Sequence, residues 1–260
     1  MRDLIITLIQ TEPVWENIND SLALFDEKIN NISEKTNLII LPEMFTTGFS
    51  MNAANLAQDT NGSSIKWLQK ISSQVDADIV GSIIFKINDM YFNRLLWAKP
   101  DGRLFTYDKK HLFRFAGEEK VYSAGVDNIT VELKGWKIRP FICYDLRFPA
   151  WTRNINNQYD IAIFIANWPE KRSMHWKSLL QARAIENQCY VIGVNRVGTD
   201  GNGLFYSGDS SIIDPLGKII FHKNNEECTF TTVLSFNILE KYRQTFPAWR
   251  DADIDMINSP

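Results

Sequence analysis

Short apolar runs of strand length, separated by segments whose apolar residues recur with helical spacing, are the feature that most narrows the folds open to this chain. The run from Leu4 to Ile9 comes first. After Pro13 the spacing changes: Ile18, Leu22, Phe25, Ile29 and Ile32 stand four, three, four and three apart, which places them on one helix face. A second buried strand, NLIILPE, begins at Asn37. Strand, helix and strand within about 40 residues make a βαβ beginning, which points to an α/β fold.

The pattern continues. An aperiodic polar stretch from Thr46 to Ser63 leads to a second helical set, Ile65, Leu68, Ile71 and Val75, and then to the strand DIVGSIIFK. From Tyr91 to Asp145 the chain reads as extended, broken by the turn-like PDGR and by Lys134–Gly135. The second half alternates again: YDIAIFIAN is a strand, Ser173 to Gln188 a helix, CYVIGVNRVG a strand and SSIIDPLGKIIF a hairpin. No linker, low-complexity run or repeat divides the chain, so one domain over residues 1–260 is expected, with a C-terminal tail from about 237. Apolar strands such as IAIFIA need helices over at least one sheet face, and hairpins need mixed strand direction. Two stacked sheets between helices, a four-layer αββα sandwich, use every element.

Composition excludes several function classes. A formal charge of −3, from 28 basic and 31 acidic residues, gives no field that would draw the chain to nucleic acid or an anionic membrane. Small molecules or proteins are the expected partners. The first apolar run is too short to span a membrane and lacks a signal-type cleavage site, so a cytoplasmic location is expected. Three cysteines, Cys143, Cys189 and Cys228, cannot all pair, and three scattered histidines, His111, His175 and His222, form no zinc motif. No metal site is expected.

Reactive groups in open α/β layers collect beyond the carboxyl ends of strands. Three apolar runs here end in such a group: Glu43, the pair Lys109 and Lys110, and Cys143. Each alone has a plainer reading, as a solvated loop acid, a charged sheet edge and a small buried hydrophobe.

Their contexts change that. LPEMFTTGFS, YDKKHLF and ICYDLRFP resemble, in order and spacing, the three signature segments of the nitrilase superfamily, the carbon–nitrogen hydrolases. The resemblance runs on through ANWPEKRSMHW, ARAIENQCYVIGVNRVG, GDSSIIDPLG and YRQTFPAWRDAD. Within it, CYDLRFP, ANWP and the FPAW tail are most similar to bacterial omega-amidases, which hydrolyse the side-chain amide of 2-oxo dicarboxylic acid monoamides such as 2-oxoglutaramate and 2-oxosuccinamate. The resemblance implies a cofactor-free thiol amidase with Glu43 as general base, Lys109 as catalytic lysine and Cys143 as nucleophile. Lys109 is preferred over Lys110 because the family lysine stands two residues before the His of KxHLF, here His111. The family's second glutamate stands seven residues before a glycine, which selects Glu118 before Gly125, with neighbouring Glu119 as the fallback. A homodimer built by face-to-face packing of sandwiches, with the C-terminal segment reaching across, is implied as well.

These residue types suit amide hydrolysis. A thiolate splits a difficult acyl transfer into two easier steps, and a free thiol, mostly protonated at neutral pH, needs a base within reach. Lys109 would balance charge and donate to the oxyanion, with the backbone N–H of Tyr144 as second donor, as the family pattern implies. Arg147 is a planar donor suited to a substrate carboxylate, or else it pairs with Asp145. Phe45 and Trp168, both just past strand ends, are candidate pocket walls, and Arg172 is a second carboxylate candidate. His175 and Trp176 read as structural, Arg183 and Glu186 as an ion pair, Cys189 and Cys228 as core, and residues 200–203 as a turn cluster.

Three other readings compete. One is another reaction on the same triad, on an N-carbamoyl group, another small amide or a nitrile. The second is a Cys–His hydrolase using His111 or His175. The third is a silent binding or scaffold protein on the same fold.

Overall fold

The computed structural model describes residues 3–252. The opening run forms β1 (Leu4–Gln10), and the amphipathic segment forms α1 (Ile18–Asn30), capped by Asn17, whose side chain accepts the Asp20 N–H at 3.1 Å. Asn31 closes that helix, so Ile32 joins the core from the loop beyond rather than from the helix face. The next elements are β2 (Leu38–Ile40), a one-turn α2 (Ala53–Leu56) inside the aperiodic stretch, and α3 (Ser63–Val75). The extended region holds β3 (Asp78–Ile87), β4 (Met90–Ala98), β5 (Leu104–Asp108), β6 (Val131–Leu133) and β7 (Trp136–Ile142). Then come β8 (Ile161–Ala166), α4 (Ser173–Asn187), β9 (Tyr190–Asn195), β10 (Val197–Thr199), β11 (Phe205–Ile213), β12 (Ile219–Asn224), β13 (Cys228–Leu234) and α5 (Phe236–Thr245).

Two sheets result. The first runs β13-β1-β2-β3-β4-β5, with β1, β2 and β3 parallel. The second runs β10-β11-β9-β8-β7-β6, with β12 added on β11 and with β7, β8 and β9 parallel. Strand alternation sorts the side chains. Leu4, Ile6, Leu8, Leu38, Ile40 and Val80 face the second sheet and share a core with Ile138, Ile161 and Ile163. Ile9, Ile39, Leu41, Ile79 and Ile83 point the other way, against Leu22 and Phe25 of α1 and Leu68 of α3. Helix α4 covers the second sheet through Trp176, Leu180 and Ala184. This is the expected αββα sandwich.

Two of the largest buried side chains, Trp97 and Trp176, satisfy their one donor. Trp97 Nε1 donates to Asp78 at 2.7 Å and Trp176 Nε1 to the Asp209 carbonyl at 3.0 Å, so their large apolar area is buried without leaving an unmatched N–H. Cys189 is fully buried, as expected. Cys228, on the edge strand β13, is only partly covered, because that strand has a neighbour on one side alone. The expected tail opens within α5, and its last residues, 253–260, lie outside the described part. Among the described residues no helix is long and apolar enough to cross a membrane.

Strand direction decides where the chemistry collects. Because β4 is antiparallel to both β3 and β5, β5 runs the same way as β2, and the segments holding Glu43 and Lys109 leave one end of the first sheet. The parallel β7 and β8 deliver Cys143 and Asn167 from the second.

Candidate active site

Each site residue is pinned by its own turn. Beyond β2 the chain stays attached to β3: Leu41 N–H donates to the Val80 carbonyl at 2.8 Å, Met44 N–H to Ser82 Oγ at 2.8 Å and Phe45 N–H to the Ser82 carbonyl at 3.0 Å. Glu43 is thereby turned into the interior. Beyond β5, Lys109 N–H donates to the Asn93 carbonyl at 3.0 Å, and the Lys109 carbonyl accepts Gly125 N–H at 2.9 Å. Only glycine fits at 125, since a Cβ there would stand 2.1 Å from the Asp108 carbonyl oxygen.

Cys143 begins a 3₁₀ turn (Cys143–Arg147) at the end of β7, with φ at +44°, an uncommon backbone state for a residue with a side chain. Asp145 holds that turn. Its fully buried carboxylate accepts Ile142 N–H at 3.1 Å, His111 N–H at 2.9 Å and the Tyr107 hydroxyl at 2.6 Å, and lies 2.8 Å from His111 Nδ1. Arg183 adds a clamp from α4, donating to the Leu146 carbonyl at 2.7 Å while pairing with Glu186 at 2.8 Å. The expected Arg183–Glu186 pair therefore also braces the turn.

The turns converge on a buried charge cluster. Lys109 Nζ donates to Glu43 Oε1 and Glu118 Oε1, each at 2.9 Å, and all three side chains are fully buried. Glu43 Oε1 also accepts from Asn93 Nδ2 at 2.7 Å, and Oε2 accepts the Asn167 backbone N–H at 2.7 Å. Cys143 Sγ stands 3.9 Å from the Asn167 carbonyl oxygen. Of the two adjacent glutamates it is Glu118 that meets the lysine, while Glu119 lines a separate cleft with Lys110 and His111.

The cluster sets its own protonation. Burial works against charge on Lys109, but the carboxylates of Glu118 and Glu43 outweigh it and raise the ammonium above the ordinary lysine range. Burial raises the Glu118 carboxyl; Lys109 opposes that shift and Glu43 reinforces it. Burial, reinforced by the Glu43 charge, holds the Cys143 thiol well above an ordinary cysteine, so the resting thiol carries its proton.

A cavity of about 520 Å³ opens onto this cluster, lined by Lys109, Cys143 and Asn167 on its inner side and by Phe49, Met51, Phe113, Trp168 and Leu204 around its walls. Arg147, Lys171 and Arg172 give it a cationic side. Arg147 does not pair with Asp145, whose oxygens are already occupied. Its guanidinium instead lies 4.8 Å from the Trp168 ring and its Nη2 3.0 Å from His175 Nδ1. Trp168 lines the cavity as expected, its backbone N–H held by Asn195 Oδ1 at 2.8 Å.

One wall assignment is corrected. Phe45 is fully buried in the helix-facing core, with its ring edge-on to Phe25 at 5.4 Å and beside Trp67 at 5.8 Å, and within that segment it is Phe49 whose ring lines the cavity. The turn that sends Glu43 inward sends Phe45 under the sheet. Sequence reasoning missed Asn93 and assigned no role to Asn167, although the ANWP segment had marked the latter. Neither histidine proposed as an alternative base bonds the thiol: His111 is bound to Asp145 and stacked on Phe148 at 3.7 Å, and His175 meets Arg147.

A buried carboxylate–ammonium cluster thus lies beside the Cys143 thiol on an αββα frame, an arrangement with the groups that thiol-based hydrolysis needs. The family model for carbon-nitrogen hydrolases matches residues 5–244, and the chain belongs to that family of enzymes acting on carbon–nitrogen bonds other than peptide bonds. Among its relatives, omega-amidase YafV of Escherichia coli strain K12 is 47% identical over 256 residues, covering 97% of this chain and 98% of that protein. The 2-oxoglutaramate amidase of Bacillus subtilis strain 168 is 35% identical over 255 residues, covering 96% and 98%. A CN-hydrolase superfamily protein from Xanthomonas campestris, solved with an arsenic adduct in its active site, superposes with a TM-score of 0.95 at 43% identity over 97% of this chain and 98% of that one.

Proposed function

We propose that this enzyme is an omega-amidase that hydrolyses the terminal amide of a 2-oxo dicarboxylic acid monoamide, 2-oxoglutaramate or 2-oxosuccinamate, to the dicarboxylic acid and ammonia. The observation that carries the reading is the buried Glu43–Lys109–Glu118 cluster beside Cys143, at the foot of a cavity with a cationic side. The relatives named for this activity support it at near full length.

In the proposed course Glu43 takes the thiol proton as Cys143 Sγ attacks the amide carbon. Lys109 and the Tyr144 backbone N–H, at the start of the 3₁₀ turn, stabilise the oxyanion. Collapse expels ammonia with the proton from Glu43 and leaves a thioester. Water, deprotonated by Glu43, then attacks the thioester, releasing the carboxylic acid and restoring the thiol. Glu118 holds Lys109 in place. Arg147 and Arg172 supply the cationic side for the remote carboxylate, with Trp168 as the wall beneath Arg147.

We further propose a homodimer and a cytoplasmic location. Ile185 of α4 and Leu216 and Ile219 of the β11–β12 hairpin leave about half their surface exposed and lie around Gly217, an apolar face suited to a second copy. Three unpaired thiols suit a reducing compartment. The core shared by both sheets, whose members run from Leu4 to Leu239, supports one domain among the described residues.

Steady-state ammonia release over a panel of 2-oxo acid monoamides, glutamine, asparagine and carbamoyl compounds tests the substrate reading. Preference for the monoamides is expected. Equal rates across the panel would overturn the omega-amidase reading, and release from none of them, with no adduct on Cys143 by mass spectrometry, would favour the silent scaffold. Sedimentation velocity checks the dimer.

A further inference from the structure

Strand β4 sends one more side chain into the charge cluster. Asn93 is fully buried, and its Nδ2 donates to Glu43 Oε1 at 2.7 Å and stands 3.5 Å from Glu118 Oε1. Its backbone carbonyl accepts the Lys109 N–H, so one residue touches all three charged members of the cluster. Among the described residues its buried Oδ1 accepts from no protein group. A buried acceptor without a partner costs stability, so packing alone does not account for an amide here. The donor edge does. Two carboxylates share one ammonium where water is excluded, and a neutral N–H donor relieves Glu43 without bringing in a second buried cation.

We propose that Asn93 is the positioning residue of the general base. By fixing Oε1 it leaves Oε2 on the side of the Asn167 backbone, toward which the Cys143 thiol also points. This rests on the reading of Glu43 as the base. The charged and titratable groups around the amide are Glu43 from the turn after β2, Lys109 and Glu118 from the segment after β5, Cys143 from the turn after β7, and Tyr122, whose phenol feels the Glu118, Lys109 and Glu43 charges.

The test compares Asn93→Ala and Asn93→Ser with Glu43→Gln, reading melting temperature, kcat and KM for ammonia release from 2-oxoglutaramate. Asn93→Ala is expected to fold and to lose about 10- to 100-fold in kcat with KM nearly unchanged. Asn93→Ser, which keeps a shorter donor, recovers part of kcat. A kcat near wild type, activity that falls only with the folded fraction, or failure of both variants to fold would each overturn the proposal and leave Asn93 a structural residue. Glu43→Gln separates the two readings: if it stays active, the base assignment fails and this proposal with it, whereas an inactive Glu43→Gln beside an unaffected Asn93→Ala removes the Asn93 role alone.

Discussion

Lys109 Nζ lies 2.9 Å from Glu43 Oε1, and neither side chain exposes any surface. A buried pair of this kind is a poor source of net stability, because desolvating both charges offsets most of their attraction, yet removing one partner leaves the other stranded. The pair therefore has a functional reading, and it makes the cluster sensitive to any change of charge.

Cys143→Ala should abolish ammonia release. Glu43→Gln, which keeps shape and removes the base, should lower kcat by about 10²- to 10⁴-fold, and Lys109→Met by at least about 10²-fold. Single-turnover kinetics, read with circular dichroism, separate chemistry from folding. His111→Ala and His175→Ala should keep acylation; complete loss in either would restore the Cys–His mechanism.

Cys143 should be a neutral thiol in the resting enzyme. Burial, then the Glu43 charge, raises it above the ordinary value of 9.0, so the wild-type-minus-Cys143→Ala difference in thiolate absorbance should be nil at neutral pH and emerge only in strong alkali. A thiolate signal at neutral pH would show an ion pair in place of base-assisted attack.

Arg147→Ala should raise KM for 2-oxoglutaramate about 10- to 100-fold, the loss of one hydrogen bond to a charged group, while changing KM for an uncharged amide little. The same measurement on Arg172→Ala identifies which guanidinium faces the substrate carboxylate. Equal losses for charged and uncharged amides would mean that Arg147 acts through packing on Trp168.

Asp209 should make stability pH-dependent on the acid side. Burial opposes its charge, but hydrogen bonds from Ser207, His222 and Ser173, and the nearby Lys177, lower the carboxyl below the ordinary 3.8. A carboxyl lowered by folding contributes stability that is complete above its unfolded value and is lost as pH falls through the folded one. Asp209→Asn should therefore cost about 1–3 kcal/mol at neutral pH, and the gap from wild type in urea unfolding should close in acid.

Phe45→Ala should cost about 3–5 kcal/mol of stability with KM unchanged, because the ring belongs to the core between α1, α3 and the first sheet. Phe49→Ala should do the reverse, raising KM with a small shift in melting temperature.

Local pattern was enough for much of this. Helical spacing marked α1, α3 and α4, apolar runs marked the parallel strands, and the strand-end positions of Glu43, Lys109 and Cys143 were legible because short-range periodicity and turn chemistry are written in neighbouring residues. Tertiary structure decided what faces what. A strand's period of two says that Ile39 and Ile40 face opposite ways, not which face meets helices and which meets the second sheet. It seated β13 beside β1, pairing Thr7 with Thr231, and it brought Glu43 to Asn167 across 124 positions. It also gave Asp145 to His111 and Tyr107 rather than to Arg147, and it placed the unremarked Asn93 among the charges. Those contacts depend on how two sheets stack, and no local window of sequence holds that information.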